Sequence, residues 1–403
     1  MRRYTKIQEI IVALTIYLLN YICKCSESVT YSKPHGDRHA QFEKEKYFSF
    51  VHIPKCAGSS IIRTLKEVIP KEQFQPESEA GAESGVFFQH RSEILFKEEP
   101  DYLLIAMRSP IHHVWSQFTE LKYDGWGNSI TIGTEFLRTG DTPESDLADF
   151  ELWLDHFTNP DGSFSKDPYG SKYLGAYSPV NMQARYLTSG HEMPHLVYDG
   201  DTFEPDKADA IDSYKKDDWV AVREFLHESF CLFYYRLVKN NYNDFAQKYL
   251  DEKCTCSSAA EESLVSLTHM MRHSEGHSAA EESLVSLTHV VHHSEGHRSS
   301  LLELPPNIIQ KIMKLTKIDR AIFNPILEDF MRDIVWLESK DALGRKVLCD
   351  EKLKKTTKEL AYTGINISDT YNHLKKTGKN LIYSKSKKQS DLKEHMRRSF
   401  KMY

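Results

Sequence analysis

The sequence contains no Walker phosphate-binding motif, although one of its turns has the composition of a phosphate site. A Walker loop has two glycines separated by four residues, and Lys-Ser/Thr follows the second glycine. In the turn Pro54-Lys55-Cys56-Ala57-Gly58-Ser59-Ser60 the lysine instead precedes the only glycine. This absence argues against a Walker-type nucleotide kinase.

Cysteine is scarce, with seven in 403 residues. The spacing Cys254-Thr255-Cys256 is no zinc motif, because the second pair that completes four ligands is missing. We expect no metal site from these residues. In an oxidising compartment four cysteines can form disulfides, but spacing alone does not give their connectivity; they are Cys231, Cys254, Cys256 and Cys349.

A long hydrophobic run is also missing. The apolar segment Ile10–Ile22 follows Arg2, Arg3 and Lys6, and it is shorter than the ~20 residues that span a bilayer comfortably. Residues 1–28 are therefore predicted to be a cleaved signal peptide or a short type II signal anchor, with a buried amphipathic helix as the alternative. Residues 29–46 are polar and are predicted to form a stalk. Either targeting segment would place the domain in the secretory lumen, where the sequon Asn366-Ile367-Ser368 can be glycosylated.

The net charge is small but unevenly distributed. The chain carries −6 overall, whereas residues 351–403 contain 14 Lys/Arg against 5 Asp/Glu. This segment is predicted to be a basic tail that is solvated or touches a membrane surface or a polyanion. We expect no nucleic-acid partner.

Short apolar segments alternate with helical patterns between residues 47 and 350, which we predict to be the folded domain. Strands are predicted at residues 48–53, Val86–Gln89, Tyr102–Met107 and Trp219–Val222, with a polar stretch at Glu72–Gly85. Helices are predicted after Gly58, after Pro110, and at Asp146–Phe157, Met182–Leu187, Glu224–Tyr249 and residues 307–339. The predicted fold class is α/β, a P-loop-NTPase-like doubly wound, mostly parallel sheet flanked by helices.

An internal repeat interrupts this domain. Residues 258–277 and 278–297 differ at only three positions. Two copies are too few for a solenoid, so we predict an insertion in a surface loop. Its histidines recur at four-residue spacing, which on a helix would stack them where a metal can bind; a solvated duplicated segment is the favoured interpretation.

The turn after the first strand is predicted to bind an anion. A strand, a turn of small residues and a helix N-terminus together form a cradle, because the first helical N–H groups lack backbone partners. Lys55 adds a charge, and Ser59 and Ser60 add hydroxyl donors. An ordinary strand–helix turn with a solvated lysine is the alternative.

A second motif follows the third predicted strand, at Met107-Arg108-Ser109-Pro110 through Ser116. Arg108 stands at the carboxyl end of that strand, where sites of open α/β sheets form. A fixed guanidinium and a hydroxyl from the next helix can hold a phosphate. Alone, Arg108 is as well explained as a surface charge.

The two motifs together resemble those of sulfotransferases that use 3′-phosphoadenosine 5′-phosphosulfate (PAPS). Lys-x-x-Gly-Ser-Ser resembles their 5′-phosphosulfate loop, and Arg-x-Pro followed by Ser116 resembles their 3′-phosphate motif, although Ser109 replaces the usual Asp. Asn181–Leu187, Val220–Leu232 and Leu315–Phe330 are similar to later segments of the same enzymes. The resemblance covers residues 47–250 and 304–350, and it is greatest to membrane-anchored carbohydrate sulfotransferases of the heparan sulfate 2-O/6-O type.

The resemblance implies roles for individual residues. Lys55 and the turn from Cys56 to Ser60, namely Cys56, Ala57, Gly58, Ser59 and Ser60, would hold the 5′-phosphosulfate. Arg108 and Ser116 would hold the 3′-phosphate. His90 corresponds in position to a catalytic histidine, and with Lys55 it is predicted to be catalytic. Cys56 is expected to be a small filler rather than a nucleophile.

The resemblance also implies a glycan or other hydroxyl acceptor, 3′-phosphoadenosine 5′-phosphate as product, no metal, and a Golgi location with a single-pass type II anchor, or secretion after cleavage. Two other functions stay open at this stage. One is a P-loop nucleotide kinase, and the other is a non-catalytic lumenal binding protein with a degenerate nucleotide site.

Overall fold

A computed structural model gives the structure of the chain. It describes residues 42, 46, 48–70, 73–75, 101–123, 143–159, 161–165, 177–188, 204–238, 244–256 and 304–377. The predicted strand Val86–Gln89, His90, the segments 1–28 and 29–41, the repeat 258–297 and residues 378–403 lie outside this set.

The described strands form one small parallel sheet. The strands are β1 (Phe48–Val51), β2 (Phe74–Gln75), β3 (Tyr102–Met107) and β4 (Trp219–Val222). Their order is β2-β1-β3-β4, and every pairing is parallel. The α/β class is therefore confirmed, although β2 lies in a stretch that we predicted to be polar and without a strand.

Helices surround this sheet. In chain order they are α1 (Gly58–Val68), α2 (Pro110–Tyr123), α3 (Pro143–Asp155), α4 (Met182–Thr188), α5 (Lys207–Lys215), α6 (Leu226–Val238), α7 (Asp244–Lys253), α8 (Pro306–Leu315), α9 (Lys317–Leu337), α10 (Asp350–Glu359) and α11 (367–377). No helix among these described residues is long and apolar enough to cross a membrane.

The strands and the first helix follow from their apolar patterns. β3 is buried along almost its whole length, as expected of a strand covered on both faces. In α1, Ile61, Leu65 and Val68 are spaced four and three residues apart and form its buried face. Aromatic rings fill the core beside the sheet, with Phe42 in edge contact with Phe48 and Tyr102.

Two predicted helices are each divided in the structure. The predicted helix Glu224–Tyr249 begins with a 3₁₀ turn and then forms α6 and α7 as separate helices. Three of the five residues between α6 and α7 are asparagine, which is a poor helix former. The predicted helix at 307–339 is broken at Thr316, where the side chain of Asn181 accepts a hydrogen bond from the Ile318 N–H and starts α9.

The segment that we assigned to a basic tail begins with packed helices. Leu353, Ile367 and Tyr371 are buried in α10 and α11. Glu338, the residue after α9, joins them to the body, because it accepts hydrogen bonds from the Val347 N–H and the Tyr371 hydroxyl. The domain therefore extends beyond residue 350. The apolar residues here are too sparse for their helical spacing to stand out among the lysines.

The structure also gives the disulfide connectivity that spacing left open. Cys231 pairs with Cys254, and Cys256 pairs with Cys349, with Cα atoms 5.7 and 5.0 Å apart. The first bridge joins α6 to the end of α7. The second joins Cys256, three residues after the end of α7, to Cys349, the residue before α10. Each bridge has one cysteine, Cys254 or Cys256, shortly before residue 258, where the repeat begins.

Candidate active site at the carboxyl ends of β1 and β3

The strand order reverses between β1 and β3, which are neighbours in the sheet. β2 lies beyond β1 on one side, and β4 lies beyond β3 on the other. Connections that leave in opposite directions open a crevice at the carboxyl ends of the two central strands. The predicted anion turn follows β1, and Arg108 follows β3, so both motifs meet at this crevice.

The turn after β1 has an unusual backbone. Lys55 and Ala57 have φ angles of 66° and 69°, the left-handed region that non-glycine residues seldom adopt. Turns in which left-handed residues occur can direct successive N–H groups toward one point and bind an anion there. Strained residues of this kind persist where the surrounding structure holds them and are concentrated at functional sites.

Two backbone carbonyls of the turn are held on its other side. The Pro54 carbonyl accepts a hydrogen bond from Nε2 of His113 at 2.8 Å, and the Lys55 carbonyl accepts one from Nη1 of Arg108 at 2.8 Å. These contacts fix the turn against α2 and the end of β3. They also occupy the turn's acceptors, which would otherwise repel an anion.

The start of α1 supplies N–H groups that have no acceptor within the helix. The first intrahelical bond runs from the Ile61 N–H to the Ala57 carbonyl, so Gly58, Ser59 and Ser60 precede it. Both serines are exposed. Gly58 is required by close packing, because a Cβ atom there would lie 1.8 Å from Cδ2 of His52.

Lys55 does not extend into solvent. Its ammonium forms an ion pair with the carboxylate of Glu120 on α2, and the two side chains are 20% and 21% exposed. The alternative interpretation of a solvated lysine is therefore wrong for this structure. Nothing in the residue pattern pointed to Glu120, although it lies one helical turn after Ser116.

The main chain of Arg108 is held by Gln183 of α4. The Arg108 N–H donates to Oε1 of Gln183 at 2.9 Å, and Nε2 of Gln183 donates to the Arg108 carbonyl at 2.8 Å. The Nε atom of Arg108 is buried without a hydrogen-bond partner. Burial lowers the pKa of Arg108 to about 10, and the charge of Arg223 acts in the same direction, so the guanidinium stays charged at neutral pH.

Glu224, after β4, organises the start of α2. Its Oε1 accepts a hydrogen bond from the Ser109 N–H at 3.0 Å and lies 3.3 Å from Nδ1 of His112. Burial alone would raise the pKa of Glu224, but the hydrogen bond and charge of His112, with the charge of Arg108, hold it at about 2. This carboxylate thus fixes Ser109 and His112, which lie immediately before and within the first turn of α2.

The two buried histidines at the turn are neutral. Burial lowers the pKa of His52 to about 4 and that of His113 to about 3. His113 uses Nε2 to hold the Pro54 carbonyl, while its Nδ1 accepts from the Gln117 amide at 3.2 Å. Both rings are therefore structural parts of the turn.

The remaining predicted residues are placed as follows. Ser116 lies half-buried on α2. Cys56 is buried with its Sγ 3.7 Å from Oε1 of Gln183, and burial raises the pKa of its thiol, which disfavours the reactive thiolate. Arg185 donates to the carbonyls of Val180 and Ser178, so it braces the chain before α4.

Sequence reasoning missed four residues of this site: Gln183, Glu120, Glu224 and Tyr362. Gln183 and Glu224 lie in segments that were noted, but nothing in their spacing indicated their contacts. Tyr362 lies beyond the predicted domain boundary. Burial of its hydroxyl oxygen, together with the charge of Glu224, raises the pKa of that hydroxyl, whereas the hydrogen bond with Ser109 acts in the opposite direction.

Comparison of the chain with protein-family models, with curated proteins and with solved structures gives no match. Across the described ranges, no cluster of three or more His, Cys, Asp or Glu side chains is arranged to hold a metal.

Proposed function

We propose that this chain is a PAPS-dependent sulfotransferase built on a P-loop-NTPase-like, doubly wound sheet. The observation that carries the proposal is the contact between the two motifs: the Arg108 guanidinium is bonded to the Lys55 carbonyl at the point where the strand order reverses. A donor with two separated phosphate groups would be held at both motifs at once.

The turn after β1 has the donor groups that a 5′-phosphosulfate needs. The N–H groups from Ala57 to Ser60, the hydroxyls of Ser59 and Ser60, and the Lys55 ammonium would bind its oxygens. Two observations support this assignment. Lys55 and Ala57 have left-handed backbone conformations, and the carbonyls of Pro54 and Lys55 already accept hydrogen bonds from other side chains. Lys55 would stabilise the negative charge that builds on the leaving phosphate.

Arg108 and Ser116 would bind the 3′-phosphate, the group that distinguishes PAPS from ATP. Arg108 already uses one N–H group on the Lys55 carbonyl, and its buried Nε has no partner. A guanidinium has five N–H donors, so a phosphate can bind without breaking the existing contact.

His90 is the proposed base that takes the proton of the acceptor hydroxyl, although it lies outside the described residues. A positioned base of this kind contributes about 10²–10⁴-fold to the rate. The acceptor is most simply a glycan, in keeping with the resemblance. Cationic and N–H donors replace Mg²⁺ in this scheme, so we propose a reaction that needs no metal.

The proposed setting is the Golgi lumen, with a type II membrane anchor, or the outside of the cell if the N-terminal segment is cleaved. The two disulfides support an oxidising compartment.

Calorimetry tests the proposal against its alternatives. The protein should bind 3′-phosphoadenosine 5′-phosphate without added metal and should bind ATP with Mg²⁺ far more weakly. A preference for ATP with Mg²⁺ would indicate a kinase. Binding of neither nucleotide would favour a non-catalytic protein. Transfer of labelled sulfate from PAPS to a panel of glycans would then identify the acceptor.

A further inference from the structure

The Lys55–Glu120 ion pair occupies the one lysine of the turn. Lys55 and Glu120 are 65 residues apart in sequence, and their side chains are each about four-fifths buried. A pair at this depth is less screened by solvent than a surface pair. In the structure the ammonium that the turn offers to a phosphate is thus neutralised by a carboxylate.

The position of Glu120 is fixed by the same helix face that holds the turn. His113 and Glu120 are seven residues apart on α2, so their side chains lie on one face. His113 anchors this face to the Pro54 carbonyl, and Glu120 meets the ammonium of the next residue. The helix therefore holds Glu120 at the turn independently of any ligand.

We infer that Glu120 is the residue that an incoming phosphate displaces from Lys55, and that it sets the affinity of the turn for its nucleotide. Two anions compete for one ammonium, so binding of the phosphate includes the free energy of breaking the ion pair. Glu120 then lowers the affinity for both donor and product. Weaker binding of the product favours its release after transfer. Because Glu120 acts on the nucleotide only through Lys55, it is a positioning residue.

Glu120→Gln tests this inference, which rests on the proposed function only in the choice of nucleotide. Without the carboxylate, Lys55 is available before binding, and the affinity for 3′-phosphoadenosine 5′-phosphate should rise about threefold to tenfold. The rise should disappear in Lys55→Met/Glu120→Gln, because the carboxylate acts through the lysine. The measurement is calorimetry, with the Tm of each variant recorded.

Glu151→Gln is the matched control. Glu151 on α3 pairs with Lys311 of α8, so its substitution makes the same change in charge away from the turn. It should leave nucleotide affinity unchanged. If it raised the affinity as much as Glu120→Gln does, the effect would be one of net charge and the inference would be wrong.

The remaining outcomes also decide the question. Equal or weaker binding by a folded Glu120→Gln protein would overturn the inference, as would a gain that persists without Lys55. If the wild type bound ATP but not 3′-phosphoadenosine 5′-phosphate, the proposed function would fail, yet the same variants titrated with ATP would still test Glu120. If the wild type bound neither nucleotide, both would fall.

Discussion

At the scale of single residues, the turn after β1 depends on a glycine for space rather than for backbone freedom. The left-handed positions are held by Lys55 and Ala57, whereas Gly58 leaves room for the ring of His52. Glycine at position 58 therefore reflects close packing between the residue that follows β1 and the start of α1. The conformational strain is located one and three residues earlier.

Gly58→Ala should consequently damage both the turn and the fold. The new Cβ would lie 1.8 Å from His52 Cδ2, so the ring or the helix start must move. Overpacking of this kind costs about 1–3 kcal/mol, and the displaced N–H groups should lower nucleotide affinity at least tenfold. Chemical denaturation and calorimetry measure the two effects. His52→Ala/Gly58→Ala should recover part of the affinity; a single variant that behaves as the wild type would contradict the packing argument.

Asp319 gives a second prediction, on pH. Burial raises the pKa of this carboxyl to about 7, against the opposing effect of hydrogen bonds from the Ala184 and Gln183 N–H groups. Between about pH 4 and 7 the folded protein keeps a proton that the unfolded chain has released, so this residue makes stability fall as pH rises. Asp319→Asn should remove that slope, which is at most about 1.4 kcal/mol per pH unit.

The measurement is the free energy of unfolding of wild type and variant across this pH range. Glu224→Gln is the contrasting variant, because the folded-state pKa of Glu224 is lowered to about 2. Its stabilising contribution is present above about pH 4.5 and is lost as pH falls toward 2. The two variants should therefore diverge from the wild type in different pH windows. Parallel curves for Asp319→Asn and wild type would show that Asp319 does not titrate there.

At the scale of elements, α4 and α9 are joined through Asn181. Its N–H donates to the Leu315 carbonyl at the end of α8, and its side chain accepts from the Ile318 N–H at the start of α9. Its φ of 45° is in the left-handed region, which asparagine tolerates better than most residues. One residue thus ends one helix, starts another and precedes α4.

Asn181→Ala should cost about 2 kcal/mol of stability, because it removes the cap of α9 and places a Cβ-bearing residue without a local hydrogen bond at positive φ. Asn181→Gly removes the same cap but tolerates the backbone angle, so it should cost less. Denaturant unfolding of the two variants separates the contributions. Equal losses would mean that the backbone angle contributes nothing.

The strands and the start of α9 show why some features could be predicted from the sequence and others could not. β3 and β4 were predicted with their observed bounds, because strands buried on both faces have an uninterrupted apolar run. The break at Thr316 was missed, since the apolar spacing continues through it and its cause is a side chain 137 positions from Ile318. Local patterns report burial along one segment, whereas caps supplied from elsewhere in the chain leave no local trace.

The residues of the candidate site likewise fall into two groups, those that could be predicted from the sequence and those that could not. Lys55 and Arg108 were identified from their positions at strand ends, a rule that depends only on topology. Their partners Glu120 and Gln183 were not, because each contact depends on how two distant elements are placed in space. The turn's composition predicted an anion cradle, but not that its lysine would be held by a carboxylate.

At the scale of the whole molecule, the repeat is enclosed by a covalent loop. Cys256 and Cys349 are separated by 93 positions, and residues 258–297 lie between them. A disulfide that closes a loop of this length stabilises by about 4–5 kcal/mol in the chain-entropy treatment. That value depends on the logarithm of loop length, so the bridge tolerates changes in the segment that it encloses.

Deletion of one repeat copy, residues 278–297, tests whether the repeat is an insertion. It shortens the separation of the bridged cysteines by 20 residues, which changes the closure entropy by only about 0.2 kcal/mol. The Tm and the affinity for 3′-phosphoadenosine 5′-phosphate should therefore match those of the full chain. Cys256→Ser/Cys349→Ser is the control for sensitivity, because it removes the bridge and should lower the Tm clearly. A comparable fall on deletion would mean that the repeat packs on the domain, since loop length alone cannot produce it.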